Sequence, residues 1–361
     1  MKSPDKATQL TSILREELGG NKARLSLLSH LVLSMLKVRD VNFKKLATGY
    51  YNGAQLSSRV RRIQRFFRQF RFEQQSYGRL LIRMIPAQGS YPLSLDRTNW
   101  KLGSRNINLL FLSVIYQGVG IPIFWSVLGD KRGNSSQEER ILLLNRFMEV
   151  FGSGSIEYLT ADREFIGKQW LSFLESQQIR FYIRIRKDMH LTLSGGKKVK
   201  ASWLLMPQPL NHAYFHPKIV WIQGVQVYFS GTKFIGQDGK ADYLILVCYN
   251  KHHMGLHLYR KRWQIETMFK AFKSAGFNLE NTHIHDYERL DTLIGVLAIA
   301  FIWAYNTGIY LNTKVKEIAV KKHGRKEISI FKYGLDHLSE ILINQVNRLF
   351  RKVILLFLSC T

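Results

Sequence analysis

Tyr259-Arg-Lys-Arg262-Trp-Gln-Ile-Glu266-Thr-Met-Phe-Lys-Ala-Phe-Lys273 mixes charge and bulk in a pattern that a regular helix would sort into two faces. At about 100° per residue, Tyr259, Arg262, Glu266 and Lys273 fall near about 0°, 300°, 340° and 320°, a strip about 60° wide. Leu258, Ile265, Met268, Phe269 and Phe272 fall between about 180° and 280°, the stripe such a helix buries. One acid and two cations would then project together from an element held by its opposite side. An amphipathic helix with solvated charges reads the same way, so the strip gains chemical meaning only from its company.

Two earlier aspartates supply that company: Asp96 in Ser94-Leu-Asp96-Arg-Thr-Asn-Trp100 and Asp162 in Leu159-Thr-Ala-Asp162-Arg-Glu-Phe165. Three carboxylates among basic residues can hold divalent ions against a phosphodiester. Around them the chain has the period of strands, over Pro92 to Trp100, Ile107 to Gln117 and Ile121 to Leu128, with turn signals at Gly103-Ser104 and Gly118-Val-Gly120. A helix over Ser135 to Phe151 follows, where Ser136 and Glu139 have capping-box spacing. Next come an apolar strand ending at Asp162, a helix from Gly167 to Gln178 and a strand from Ile179 to Arg186. His190 to Asn250 contains further strand-like runs, with hairpin turns expected at Gln223-Gly224 and Asp238-Gly239.

Composition points to a polyanionic partner. Fifty-three Lys and Arg against 26 Asp and Glu leave a net charge of +27, which attracts nucleic acid and makes its binding salt-dependent. With 46% apolar residues the chain can build a substantial core. Cys248 and Cys360 form no CxxC pair, so neither a zinc site nor a disulfide framework is expected. The polar N-terminus has no signal core, and the apolar run Leu293 to Tyr305 reads as a buried core helix too short to span a membrane.

The first 85 residues read as helical and basic. In the stretch from Ser57-Ser58-Arg59 to Phe72, Val60, Ile63, Phe67 and Phe70 share one face and Arg61, Arg65 and Arg68 another, with Ser57 or Ser58 as a cap. With Val41 to Thr48 and the Tyr51-Asn52-Gly53 break, this suggests a helix-turn-helix. Its arginines would sit on phosphates or on a solvated surface. At the other end, Leu335, Leu338, Leu342, Val346 and Leu349 recur at helical spacing.

The spacing Tyr-x2-Arg-x3-Glu-x6-Lys resembles the signature of the insertion-sequence transposases called the IS-four family. Four fixed identities would arise by accident in such a chain only roughly two times in a thousand. The segments around Asp96 and Asp162 resemble those that carry the family's two aspartates, and the resemblance covers roughly residues 90 to 290. It implies an α/β fold: a ribonuclease-H-like core of mixed sheet and flanking helices, interrupted by a β-rich insertion between Asp162 and Glu266. The implied organisation is a DNA-end-binding region (1–85), the first part of the core (86–189), the insertion (190–250), the rest of the core (251–312) and a helical C-terminal region available for dimer contact (313–361).

The resemblance also implies a chemistry. Asp96, Asp162 and Glu266 would hold two Mg2+ ions, or Mn2+, with Asp96 bridging them, Asp162 on one and Glu266 on the other. Tyr259, Arg262 and Lys273 would contact phosphates, while Trp263 and Tyr243 would support a base flipped from the transposon end, core packing being the competing use of Tyr243. The expected activity is nicking of the inverted-repeat end, hairpin formation, hairpin opening and joining to target DNA, by a homodimer in the bacterial cytosol. Neither a membrane nor a small-molecule substrate is implied. Two other readings stay open: a structure-selective nuclease on the same fold, and a decayed or captured protein that binds DNA without catalysis.

Overall fold

Five short helices open the chain, and most start where a small polar side chain can cap them. In this computed structural model, which describes residues 5–50, 52–86, 89–129, 133–250, 252–322 and 324–357, they are α1 (Lys6–Leu18), α2 (Lys22–Val38), α3 (Phe43–Gly49), α4 (Leu56–Gln69) and α5 (Gln74–Arg83). Asp5, Asn21, Asn42 and Glu73 accept backbone N–H groups at the starts of α1, α2, α3 and α5. Helix α4 differs from expectation: Gln55 precedes it without a side-chain cap, Ser57 and Ser58 lie inside it, and it stops before Phe70. Its faces divide as the spacing requires, with Ile63, Phe66 and Phe67 buried and Arg61, Arg65 and Arg68 exposed. Phe43 stacks on Phe67 at 4.8 Å, and Arg59 donates to the carbonyls of Ala47 and Tyr50. Helices α3 and α4 therefore form a braced helix pair; Tyr51, part of the expected break between them, lies outside the described residues.

The strands follow in chain order. They are β1 (Tyr91–Leu102), β2 (Arg105–Tyr116) and β3 (Val119–Val127), then, after α6 (Gln137–Phe151), β4 (Ile156–Ala161), and, after α7 (Lys168–Ser176), β5 (Phe181–Arg184). Six more, β6 (His190–Thr192), β7 (Lys198–Lys200), β8 (Ala213–Phe215), β9 (Val220–Ile222), β10 (Val225–Ile235) and β11 (Ala241–Cys248), come before the helical turns α8 (Gly255–Arg260) and α9 (Gln264–Lys270). The sheet order is β3-β2-β1-β4-β5-β11-β10-β9-β6-β7, with β8 also on β10. Strands β1, β4 and β5 are parallel, and the antiparallel β5–β11 pairing makes the second half of the strands a continuation of the same sheet.

Local chemistry explains the turns. Ser136 and Glu139 form the capping box at the start of α6. Gln223 and Gly224 both have positive φ (51° and 86°), as the two-residue hairpin joining β9 to β10 demands. The β2–β3 turn falls one step earlier than the sequence suggested, on Gln117 and Gly118, whose φ values are 45° and 100°. Gly120 is instead a strand residue. A Cβ there would meet the Ile265 Cα at 2.8 Å, so its bare backbone is what lets α9 lie against β3.

Three further helices, α10 (Tyr287–Tyr310), α11 (Ile330–Ile343) and α12 (Asn347–Leu355), complete the chain. The chain divides into a helical unit (Met1–Ala87, Trp100–Ile107, Met268–Thr361) and a sheet-bearing unit (Gln88–Asn99, Asn108–Thr267). Within the helical unit, α10 is the central core element, packed by α2, α4, α5 and α11. The apolar run thus belongs to a longer helix than the run itself. Tyr287–Val315 is long and apolar enough to cross a membrane, yet 94% of its most apolar window is buried inside the protein. The expected C-terminal stripe ends at Leu342: Gln345, at φ 53°, breaks the helix, and Phe350, Val353 and Ile354 become the buried face of α12. Cys248 is a buried free thiol; Cys360 lies outside the described residues.

Candidate active site

Asp96 and Asp162 meet because their strands are neighbours in register. Leu95 on β1 pairs with Ala161 on β4 in a parallel ladder, and each is followed by the aspartate. Glu266 comes from α9, which is fixed on the β2–β3 hairpin by the Gly120–Ile265 approach and by a hydrogen bond from the Gly118 N–H to the Gln264 side chain (3.1 Å). Asp96 therefore sits within a strand, Asp162 immediately past the end of its neighbour, and the third acid on a helix packed against the same sheet.

Arg262 ties the arrangement together. Its Nη1 donates to Asp96 Oδ2 at 2.6 Å and its Nη2 to Glu266 Oε1 at 3.1 Å, and the residue is only 5% exposed. Its Nε is buried with no protein partner, and the guanidinium lies 5.8 Å from the ring of Tyr259 and 5.5 Å from that of Trp263. The Tyr259 hydroxyl donates to Asp162 Oδ1 at 3.1 Å rather than standing free. Trp263 is 60% exposed, and Tyr243 on β11 is half-buried. Lys273 belongs to the helical unit, where it pairs with Glu280 (2.8 Å) and lies over the ring of Trp100.

The segment from 255 to 275 is not the regular helix assumed from its spacing. Helix α8 gives way to a 3-10 turn at Lys261–Trp263, then to α9, then to a π-helical turn at Ala271–Ala275. The buried stripe survives at Leu258, Ile265, Met268 and Phe272, while Phe269 is half-buried. Tyr259 and Arg262, expected on the polar strip, are themselves buried.

Burial pushes the Asp96 carboxyl up to about 6, and nearby Glu164 and Asp162 add to this, against the opposing pull of Arg262 and the Arg97 N–H. Burial raises the Tyr259 hydroxyl above the ordinary phenol value. Burial opposes the charge on Arg262, but Tyr259 and the carboxylates outweigh it and hold the guanidinium above its usual value. The Asp96 shift has a stability consequence. Between 3.8 and about 6 the folded chain keeps a proton that the unfolded chain has lost. Stability from this group is thus full below the lower value and is lost as pH rises to the upper one. That interval corresponds to about 3 kcal/mol. Denaturant melts between pH 4 and pH 7 should show this loss in the parent and its removal in Asp96→Asn.

Carboxylate oxygens are the donors that Mg2+ and Mn2+ take, so the chemistry of Asp96, Asp162 and Glu266 fits hard divalent ions. Among the described residues no three acids, histidines or cysteines are gathered closely enough to enclose an ion, and Arg262 bridges Asp96 and Glu266.

A family model described as the transposase DDE domain matches residues 93–303, more than half of the chain and the span that carries all three carboxylates. The chain belongs to the DDE transposases. This transposase is also similar to a cryo-EM structure of the piggyBac transposase synaptic complex with hairpin DNA, at 12% identity and a TM-score of 0.46, over 99% of this chain and 84% of that one. No curated protein matches it.

The transposase also braces its candidate site with residues that spacing alone did not single out. Arg97, next to Asp96, donates to Glu164 (2.7 Å), Asn108 and Asn134 (both 3.4 Å), linking the first aspartate's strand to the loop after Asp162. Arg140 of α6, 3% exposed, donates to Ser135 and to the Glu164 carbonyl and lies over the Phe165 ring. The available signal was the placement of Arg97 and Glu164 beside the two aspartates.

Proposed function

We propose that this transposase is of the insertion-sequence type whose signature is spelled by Tyr259, Arg262, Glu266 and Lys273, and that it cuts and rejoins DNA ends at Asp96, Asp162 and Glu266. One observation carries the reading: Asp96 and Asp162 directly follow a register pair of adjacent parallel strands, and Arg262 joins Asp96 to Glu266 while Tyr259, three residues before it, donates to Asp162. The order β3-β2-β1-β4-β5, with β1, β4 and β5 parallel, supports a ribonuclease-H-like core, and β6 to β11 supply the β-rich insertion before the glutamate.

The three carboxylates would hold two Mg2+ or Mn2+ ions, which would generate the attacking hydroxide and stabilise the leaving oxygen. Arg262 has donors for two uses: Asp96 and Glu266 in the free protein, and a DNA phosphate in the complex, where its fork suits bidentate contact. Tyr259 holds the orientation of Asp162. Lys273 would add a point charge for a neighbouring phosphate. Exposed Trp263 offers a ring face to an extruded base, with Tyr243 as a second aromatic support. Residues 1–85 would bind the inverted-repeat end through Arg61, Arg65 and Arg68, and residues 313–361 would contribute to a homodimer bridging two ends. The reaction would run from nick to hairpin, hairpin opening and strand transfer.

The test is purified protein incubated with labelled DNA carrying the element's end, in EDTA, Ca2+, Mg2+ or Mn2+, with products resolved on denaturing gels. End-specific nicks followed by a hairpin, only in Mg2+ or Mn2+, are expected. Cleavage of branched or hybrid substrates without strand transfer would instead identify a nuclease on the same core. Binding without any cleavage would identify a decayed DNA-binding protein.

A further inference from the structure

The helical unit contains a large cleft of about 1160 Å³, of which the proposed function uses only the arginines of one wall. One wall is α4, with Arg61, Arg65 and Arg68, and Lys44 of α3 stands beside it. The other wall comes from more than 200 residues further along the chain, where His283 and His285 are exposed and Arg289 is half-buried in the first turn of α10. Among the described residues, Asp286 is the only acid on the lining, and its carboxylate is occupied in accepting the Arg289 N–H (2.9 Å). Among the same residues, no ion pair engages Lys44, Arg61, Arg65, Arg68 or Arg289.

We propose that this cleft grips the sugar-phosphate backbone of duplex DNA, and that His283, His285 and Arg289 form the second jaw opposite the α4 arginines. The proposal rests on the reading of the chain as a DNA-processing enzyme. The layout of charge favours a polymer over a small anion. Cations that serve one small anion converge on a point, whereas these run along a wall: Arg61 to Arg68 spans about 10 Å of helix, the axial length of about three base pairs. Side chains that meet only phosphates carry no sequence information, so the grip should be the same on any duplex. A terminal repeat and an unrelated target would be held alike.

The test is fluorescence anisotropy of the full chain in EDTA, with a short labelled duplex carrying the terminal repeat and another of unrelated sequence, across a range of salt. The triple variant His283→Gln, His285→Gln and Arg289→Gln should bind both duplexes about tenfold more weakly, with a salt slope shallower by about 0.9 for each phosphate no longer neutralised. Asp286→Asn keeps a capping side chain on α10 while removing the acid, so it should bind both about threefold more tightly. That gain would not follow from a merely structural role. Unchanged affinity and salt slope in both variants would overturn the second jaw, as would a loss confined to one of the two sequences. Failure of the parent itself to bind either duplex would overturn the underlying DNA reading as well, which separates the two failures.

Discussion

Glu266→Gln should retain the parent's fold and its affinity for duplex DNA, while the proposed strand cleavage in Mg2+ should fall by about 10³-fold or more. The amide matches the carboxylate in size and keeps an oxygen to accept from Arg262 Nη2, now at 3.1 Å from Glu266. The side chain is 40% exposed, so leaving an amide there carries little desolvation penalty. Its place in the first turn of α9 means that the lost charge weakens the helix start by about 0.5 kcal/mol, too little to unfold the sheet-bearing unit. In the proposed role of Glu266, what would disappear is the negative charge that a hard divalent ion needs from its ligand. Binding should hold or tighten slightly, because the net charge of +27 rises by one. Gel cleavage assays paired with anisotropy and a melting curve check all three expectations, and cleavage at the parent's rate would overturn the assignment of Glu266.

Local rules carried the sequence reading a long way. The alternation over residues 92 to 128 located three strands that pair as consecutive neighbours, and Ser136 with Glu139 located the start of α6, because each signal is complete within a few residues. The coarse α/β architecture follows from these. Spacing was less informative where tertiary contacts reshape the helix. The projection of Tyr259 to Lys273 assumed one uniform pitch, but the chain tightens at Lys261–Trp263 and loosens at Ala271–Ala275. Arg262 is thereby drawn inward to two buried or half-buried acids instead of standing in solvent. Lys273 meets Glu280 and Trp100, partners that a projection of its own segment cannot anticipate.

The same limit explains the bracing arginines. Arg97 reaches Glu164 across 67 positions and Arg140 reaches the Glu164 carbonyl across 24, so neither pairing has a local signature. They matter because Asp96 and Asp162 are next to the last register pair between their strands, where the ladder alone no longer fixes side-chain direction. Gly118 and Gly120 illustrate the complementary case. Both were legible as turn residues, but only the position of α9 reveals that Gly120 serves close packing and Gly118 serves the turn.

Gly334→Ala should be strongly destabilising, because among the described glycines its missing Cβ has the closest approach to another atom. Helices α10 and α11 cross so closely that a Cβ on Gly334 would lie 1.8 Å from the Ala304 carbonyl oxygen and 2.4 Å from the Gly308 nitrogen. Gly308 faces the same constraint from the other helix, with the Ile330 carbonyl oxygen 1.9 Å from its missing Cβ. These are backbone atoms, so no rotamer change relieves the overlap; the helices must separate. Separation would loosen the packing of α11 on α10, including the contact between the buried Phe331 and Phe301 rings, 5.2 Å apart. A loss of about 4 kcal/mol or more is expected, against the usual few tenths to 1 kcal/mol gained when glycine becomes alanine at an unstrained site. Gly154→Ala supplies the control, since a Cβ there meets nothing within 4 Å and should leave stability within about 0.5 kcal/mol of the parent. Thermal and urea melts of the two variants beside the parent decide the matter: equal midpoints for Gly334→Ala and Gly154→Ala would mean that the crossing tolerates a methyl and that the close approach of α10 and α11 does not hold the helical unit together.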